Sequence, residues 1–196
     1  MSEYEPLFGE RRAAADDLTP VQELFRAASG PYLRSPWSWL AWAVLLPAAA
    51  LATPRLWLGF GPSGVLFAWS ATILAGGAIE MAAIRRGQRA GRSPLAAWAL
   101  RIQGNLSLVA LALSALLVWQ DLAWALPGVW LLLLGHSFYV LGGIAFPPFR
   151  AYGLVYQAGG VAALWPGGAP LPAFAVAAAA GNLWVAYAVW RERRGG

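Results

Sequence analysis

The sequence predicts an all-α polytopic membrane protein, with six transmembrane helices arranged as three hairpins and both termini in the cytoplasm. Three observations predict it. Uncharged apolar runs long enough to cross a bilayer recur along the chain, arginines gather at alternate ends of those runs, and tryptophans fall where the runs stop. Of the 196 residues, 59% are hydrophobic and 12% charged, about half the charged share of an ordinary soluble domain. The mean hydropathy is +0.54. A chain of this composition has too little polar surface to coat a soluble globule of its size.

The clearest run is 125–146, from Ala125-Leu-Pro-Gly-Val-Trp to Gly142-Gly-Ile-Ala-Phe146, which holds no formal charge and carries His136 at its midpoint. As a helix it extends about 33 Å, against a hydrocarbon core of roughly 30 Å. Asp121 bounds it on one side, and Pro147-Pro148 with Arg150 on the other. The same reading places spans at 36–53, 63–84, 102–119, 126–146, 153–166 and 171–190. The fifth is short. At about 20 Å it needs bilayer thinning, shielding by neighbours, or extension into Phe149-Arg150.

All 14 basic residues are arginine. Arg11, Arg12, Arg26 and Arg34 precede the first span; Arg85, Arg86, Arg89, Arg92 and Arg101 lie between the second and third. Arg150 precedes the fifth, and Arg191, Arg193 and Arg194 follow the sixth. Six spans put every one of these on the cytoplasmic side and leave only Arg55 opposite, as the positive-inside rule requires. Five spans would strand the C-terminal arginines outside. Trp57, Trp119, Trp124, Trp130 and Trp165 then mark the outer interface, and Trp37, Trp39, Trp98 and Trp190 the inner one.

Three regions follow: a polar tail over 1–35, a six-helix membrane domain over 36–190, and a basic end over 191–196. The tail has no signal-peptide hydrophobic region. Thr19-Pro20-Val21-Gln22 reads as a helix start, predicting a short amphipathic helix over about 20–29. Val21, Leu24, Phe25 and Ala28 share its apolar face, and Gly30-Pro31 stops it. That face lies on the membrane surface or packs on the protein's own loops.

The descending helices open alike, at Pro62-Ser-Gly-Val, Pro127-Gly-Val-Trp and Pro172-Ala-Phe-Ala. A glycine–polar pair recurs at Gly135-His136 and Gly181-Asn182. This is a weak threefold repeat, with chance resemblance among Ala/Gly/Leu-rich helices as its rival. Gly76-Gly77, Gly142-Gly143 and Gly159-Gly160 predict close helix approach.

Polar groups inside a bilayer are costly, so each needs a partner or a purpose. Glu80, Arg101, Gln103, Asn105, His136, Gln157 and Asn182 form the candidate intramembrane set, with Tyr156 beside Gln157. Glu80 and Arg101 suit an ion pair between adjacent helices, or a structural clasp with Arg101 reaching to the cytoplasm. His136 suits a neutral imidazole bonded to a facing serine, asparagine or carbonyl; a proton-relay role is the sharper alternative.

Much chemistry is excluded. With no cysteine there is no disulfide or thiolate metal site. His136 has no second histidine, no cysteine and no nearby carboxylate in the sequence, which argues against a metal centre and a bis-histidine haem, and neither a lysine nor a phosphate-binding glycine loop supports a nucleotide site. No cofactor is expected. The net charge of +5 expresses membrane topology and not nucleic-acid binding. The expected partners are the bilayer and a membrane-protein partner or second copy.

Gly61-Pro62-Ser63-Gly64 resembles the Gly-x-Ser-Gly motif of rhomboid intramembrane serine proteases. The resemblance implies a dyad of Ser63 and His136, two helices later. The chain departs from that family in placing Tyr139 and Val140 after the histidine, and in having no His-x-x-x-Asn motif before Ser63. Across 36–190 the hairpin pattern and glycine-rich helices resemble HdeD-like and uncharacterised six-span bacterial membrane proteins, which implies a bacterial inner-membrane location and no site residues. The function expected is non-catalytic: an accessory, regulatory or stress-related membrane component. A small-solute transporter or channel using the polar set is the alternative, and the protease a third.

Overall fold

The computed structural model describes residues 35–87, 94–144 and 146–195. The expected tail helix, with Arg89 and Arg92, lies outside them. The described residues are all-helical and contain no strand. The helices are α1 (Pro36–Gly87), α2 (Pro94–Trp119), α3 (Leu126–Ile144), α4 (Pro148–Leu164) and α5 (Pro170–Gly195), with one 3₁₀ turn at Ala123–Ala125. Four stretches are long and apolar enough to cross a membrane: Pro36–Ala83, Arg101–Trp119, Ala123–Gly143 and Pro170–Arg194.

The first two expected spans belong to one helical run. The first span is expected to end at residue 53, yet the helix continues through Pro54 and breaks only at Gly61. An interior proline costs about 3 kcal/mol. Leaving several backbone groups unpaired in an apolar medium costs several kcal/mol each, so continuing the helix is cheaper. Gly61 adopts φ 64°, ψ −159°, a region essentially open only to glycine. There the chain doubles back. Trp42 Nε1 donates to Glu80 Oε2 at 3.3 Å, although a straight helix would set residues 38 positions apart at about 57 Å.

The reversals after α2 and α4 also place one residue at positive φ. Asp121 (φ 58°) and Gly167 (φ 75°) are the remaining positive-φ residues among those described. At the first of these, Leu122 N–H bonds to Leu117 O and Asp121 N–H to Val118 O, a Schellman cap with aspartate in the left-handed position. Proline then sets the start of α4, at Pro148 and not at residue 153 as the apolar run suggested. The earlier start gives this helix 17 residues, or about 26 Å.

Packing is uneven. α3 and α4 lie antiparallel with backbones touching along glycines at seven-residue spacing. A Cβ on Gly128 would meet Gly160 O at 2.9 Å, and one on Gly135 would meet Gly153 O at 2.8 Å. Gly142 lies against the backbone of Arg150. α5 packs against both α4 and α1, burying Ala178, Asn182, Val185 and Val189. α2 is peripheral and rests on α3. Between Arg101 and Trp119 only Ala110 is buried.

Two hydroxyl–indole clasps repeat the same geometry. Thr53 Oγ1 donates to Ala49 O at 2.8 Å and accepts from Trp69 Nε1 at 3.0 Å. Ser114 Oγ donates to Ala110 O at 2.7 Å and accepts from Trp130 Nε1 at 3.0 Å. Each hydroxyl bonds one turn back in its own helix and receives an indole 16 residues ahead across a reversal. The two clasps thus share a Ser/Thr–Trp spacing of 16 residues.

Thr53→Val and Ser114→Ala are each expected to lower unfolding free energy by about 0.6 kcal/mol, read by denaturation in detergent. Clearly unequal losses would show that matching geometry does not carry matching load. Gly61→Ala is expected to cost about 1–3 kcal/mol in the same assay.

Candidate functional site

The polar centre of the bundle is Asn182, 1% exposed on α5. A buried amide must spend its hydrogen-bonding groups locally or carry a desolvation cost. Asn182 Nδ2 donates to Tyr156 Oη at 2.8 Å and to Ala178 O at 2.8 Å, and Oδ1 accepts from Tyr152 Oη at 3.3 Å. Tyr152 and Tyr156 are one turn apart on α4 and buried, with ring centroids 4.4 Å apart. Gly181 makes room for them: a Cβ there would lie 2.6 Å from each ring. The Gly181-Asn182 pair thus has a physical meaning, since glycine admits the rings and asparagine ties their hydroxyls.

Aromatic side chains from two more helices close the cluster. Phe138 of α3 stands edge-on to Tyr152 at 4.5 Å, and Trp39 of α1 lies 5.8 Å from Tyr152 and 5.5 Å from Phe149. Tilted and edge-to-face contacts of this kind add to area burial. Trp39 Nε1 is sealed here without an acceptor, the one such side-chain atom among the described residues. Trp39 is one of the tryptophans expected in the inner aromatic belt. The structure puts its N–H inside.

The remaining candidates go to separate places. Glu80 is exposed and accepts from Trp42, so its bond is to an indole and not to Arg101. Arg101 and Asn105 are exposed on α2. Gln103 Oε1 accepts from Ser137 Oγ at 2.9 Å, joining α2 to α3. Gln157 lies across Gly135, where a Cβ would meet its Cγ at 2.9 Å. His136, the next residue, is exposed. Phe138 points into the aromatic cluster, and at about 100° per residue His136 therefore faces away from it. The structure sets Gln157 in the α3–α4 seam, leaves Arg101, Asn105 and His136 exposed, and buries Asn182 among the tyrosines.

Ser63 is exposed just beyond the Gly61 break, and its Oγ donates to Phe60 O at 3.3 Å. No Ser63–His136 bond is made among the described residues. Sequence reading named Tyr156 and Asn182 but missed Tyr152. Its signal was present, because tyrosines at i and i+4 share one helix face. Comparison with protein-family models, characterised proteins and solved structures finds no match for the chain.

The network suits holding helices in register. In a double-mutant cycle, Tyr156→Phe and Asn182→Ala are expected to couple by about 0.6–1.7 kcal/mol, the range for interhelical bonds in membranes. Additive losses would show that the bond carries no stability.

Proposed function

We propose that the chain is a non-catalytic membrane protein of the bacterial inner membrane, with six spans in three hairpins and an accessory or regulatory role. The observation that carries this reading is that most of its polar groups are spent on bonds that tie one helix to another. Asn182 is spent on two tyrosines, Gln103 on Ser137, Glu80 on Trp42, and Thr53 and Ser114 on indoles. A transporter needs such groups to converge on one path, and a Ser–His protease needs the two residues bonded. A bundle that presents its surfaces to another membrane protein needs only that they hold its helices together.

Six spans are supported by the reversal at Gly61, which returns Trp42 to Glu80, and by α4, which starts early enough to reach about 26 Å. Both termini in the cytoplasm rest on the arginine pattern of the sequence, in which Arg55 alone falls at the opposite ends of the spans.

The chain has no cysteine, so single replacements report topology cleanly. Asp121→Cys and Gly167→Cys are expected to react with an impermeant maleimide on intact cells, and Arg194→Cys only after lysis. Labelling of all three from outside would overturn the arrangement. For the role, gentle detergent extraction followed by native electrophoresis and mass spectrometry is expected to recover a stoichiometric membrane-protein partner. Migration of the chain alone, with solute flux in proteoliposomes, would replace this reading with transport.

A further inference from the structure

The C-terminal half of α5 carries a strip of adjoining, tilted aromatic side chains. Trp184 and Tyr187 have ring centroids 6.3 Å apart, Tyr187 and Trp190 6.2 Å, and the Arg194 guanidinium lies 3.8 Å over the Trp190 ring. The helix is packed against α1 and α4, yet these rings are exposed: Trp184 by 44%, Tyr187 by 50% and Trp190 by 42%. Val176, Ala180 and Leu183 continue the exposed strip toward the other end of α5 at three- and four-residue steps. Trp184 is also pinned, its Nε1 donating to Pro148 O at 3.2 Å.

We propose that this strip binds an anionic phospholipid, with the headgroup phosphate on Arg194 and an acyl chain along Trp190, Tyr187, Leu183 and Val176. Three features select that occupant. From Val176 to Trp190 the helix rises about 21 Å, the reach of a long acyl chain. The order is apolar, then aromatic, then cationic, matching the tail, glycerol and headgroup levels of a lipid. Stacking on Trp190 also holds the guanidinium plane while leaving its N–H edge free for a bidentate phosphate contact. Arg191 and Arg193 add positive charge at the same end, and Glu192 lies about 160° around the helix from Arg194. An acidic helix of another protein could match the charge, but it would not use the apolar strip below it.

This site rests on the membrane reading. The test uses full-length chain in detergent, exposed to equimolar phosphatidylglycerol and phosphatidylcholine and read by native mass spectrometry. Phosphatidylglycerol retention is expected to exceed phosphatidylcholine about tenfold, and Arg194→Gln to reduce it about fivefold, the scale of one arginine at a membrane surface. Trp190→Leu is expected to produce a similar loss by freeing the guanidinium, while Arg85→Gln, an exposed arginine on α1, changes it less than twofold.

Equal retention of the two lipids would overturn the site, as would a loss from Arg85→Gln equal to that from Arg194→Gln, which would show a diffuse charge effect. Displacement of the lipid by inorganic phosphate alone would assign Arg194 to a free anion and overturn it too. A chain extracted only by detergent but lacking the preference would sink the site alone. A chain soluble without detergent would sink the membrane reading with it.

Discussion

The contact on which the rest depends is the glycine seam between α3 and α4. Gly128, Gly135 and Gly142 recur every seven residues on one helix, and Gly153 and Gly160 answer them on the other. The contact is reciprocal: a Cβ on Gly153 would sit 2.6 Å from Gly135 O, and one on Gly160 would sit 2.9 Å from Gly128 O. In lipid there is little hydrophobic gain from bringing two apolar helices together, so close packing must supply the attraction. Two backbones in contact gain dispersion along their whole length, and a single methyl forces them apart.

That seam positions the aromatic cluster. With glycines facing α3, α4 turns Tyr152 and Tyr156 toward α5, where Gly181 admits their rings and Asn182 binds their hydroxyls. Phe138 reaches the same cluster from α3, and Trp39 caps it from α1. The same geometry sends His136 outward, because it cannot share a face with both Gly135 and Phe138. The midpoint histidine of the most apolar run is thus on the outside of the bundle, and the interior carries an amide and two phenols instead.

The all-helical class and the long apolar helices were legible because composition and run length are properties of the sequence itself, and an apolar run of that length can satisfy its backbone in an apolar surrounding only as a helix. The path through Pro54 was not, since a proline signals a turn locally while the cost of unpaired backbone in lipid is set by surroundings. The partners of the polar residues were also hidden. Glu80, Gln103 and Asn182 could be named as costly groups, but their bonds to Trp42, Ser137 and Tyr156 depend on the rotation of each helix about its axis. The Thr53–Trp69 and Ser114–Trp130 spacing was readable only after one pair showed what to count.

The most direct test is a side-chain size series at the seam: Gly135→Ala, →Val and →Leu, with the same series at Gly77, where a Cβ would meet nothing within 4 Å. Thermal unfolding in detergent measures both. Stability at position 135 should fall with each added carbon, reaching about 1–3 kcal/mol for the larger side chains, while position 77 stays within about 0.5 kcal/mol. Equal tolerance at the two positions would contradict the account, because α3 and α4 would then not depend on backbone contact.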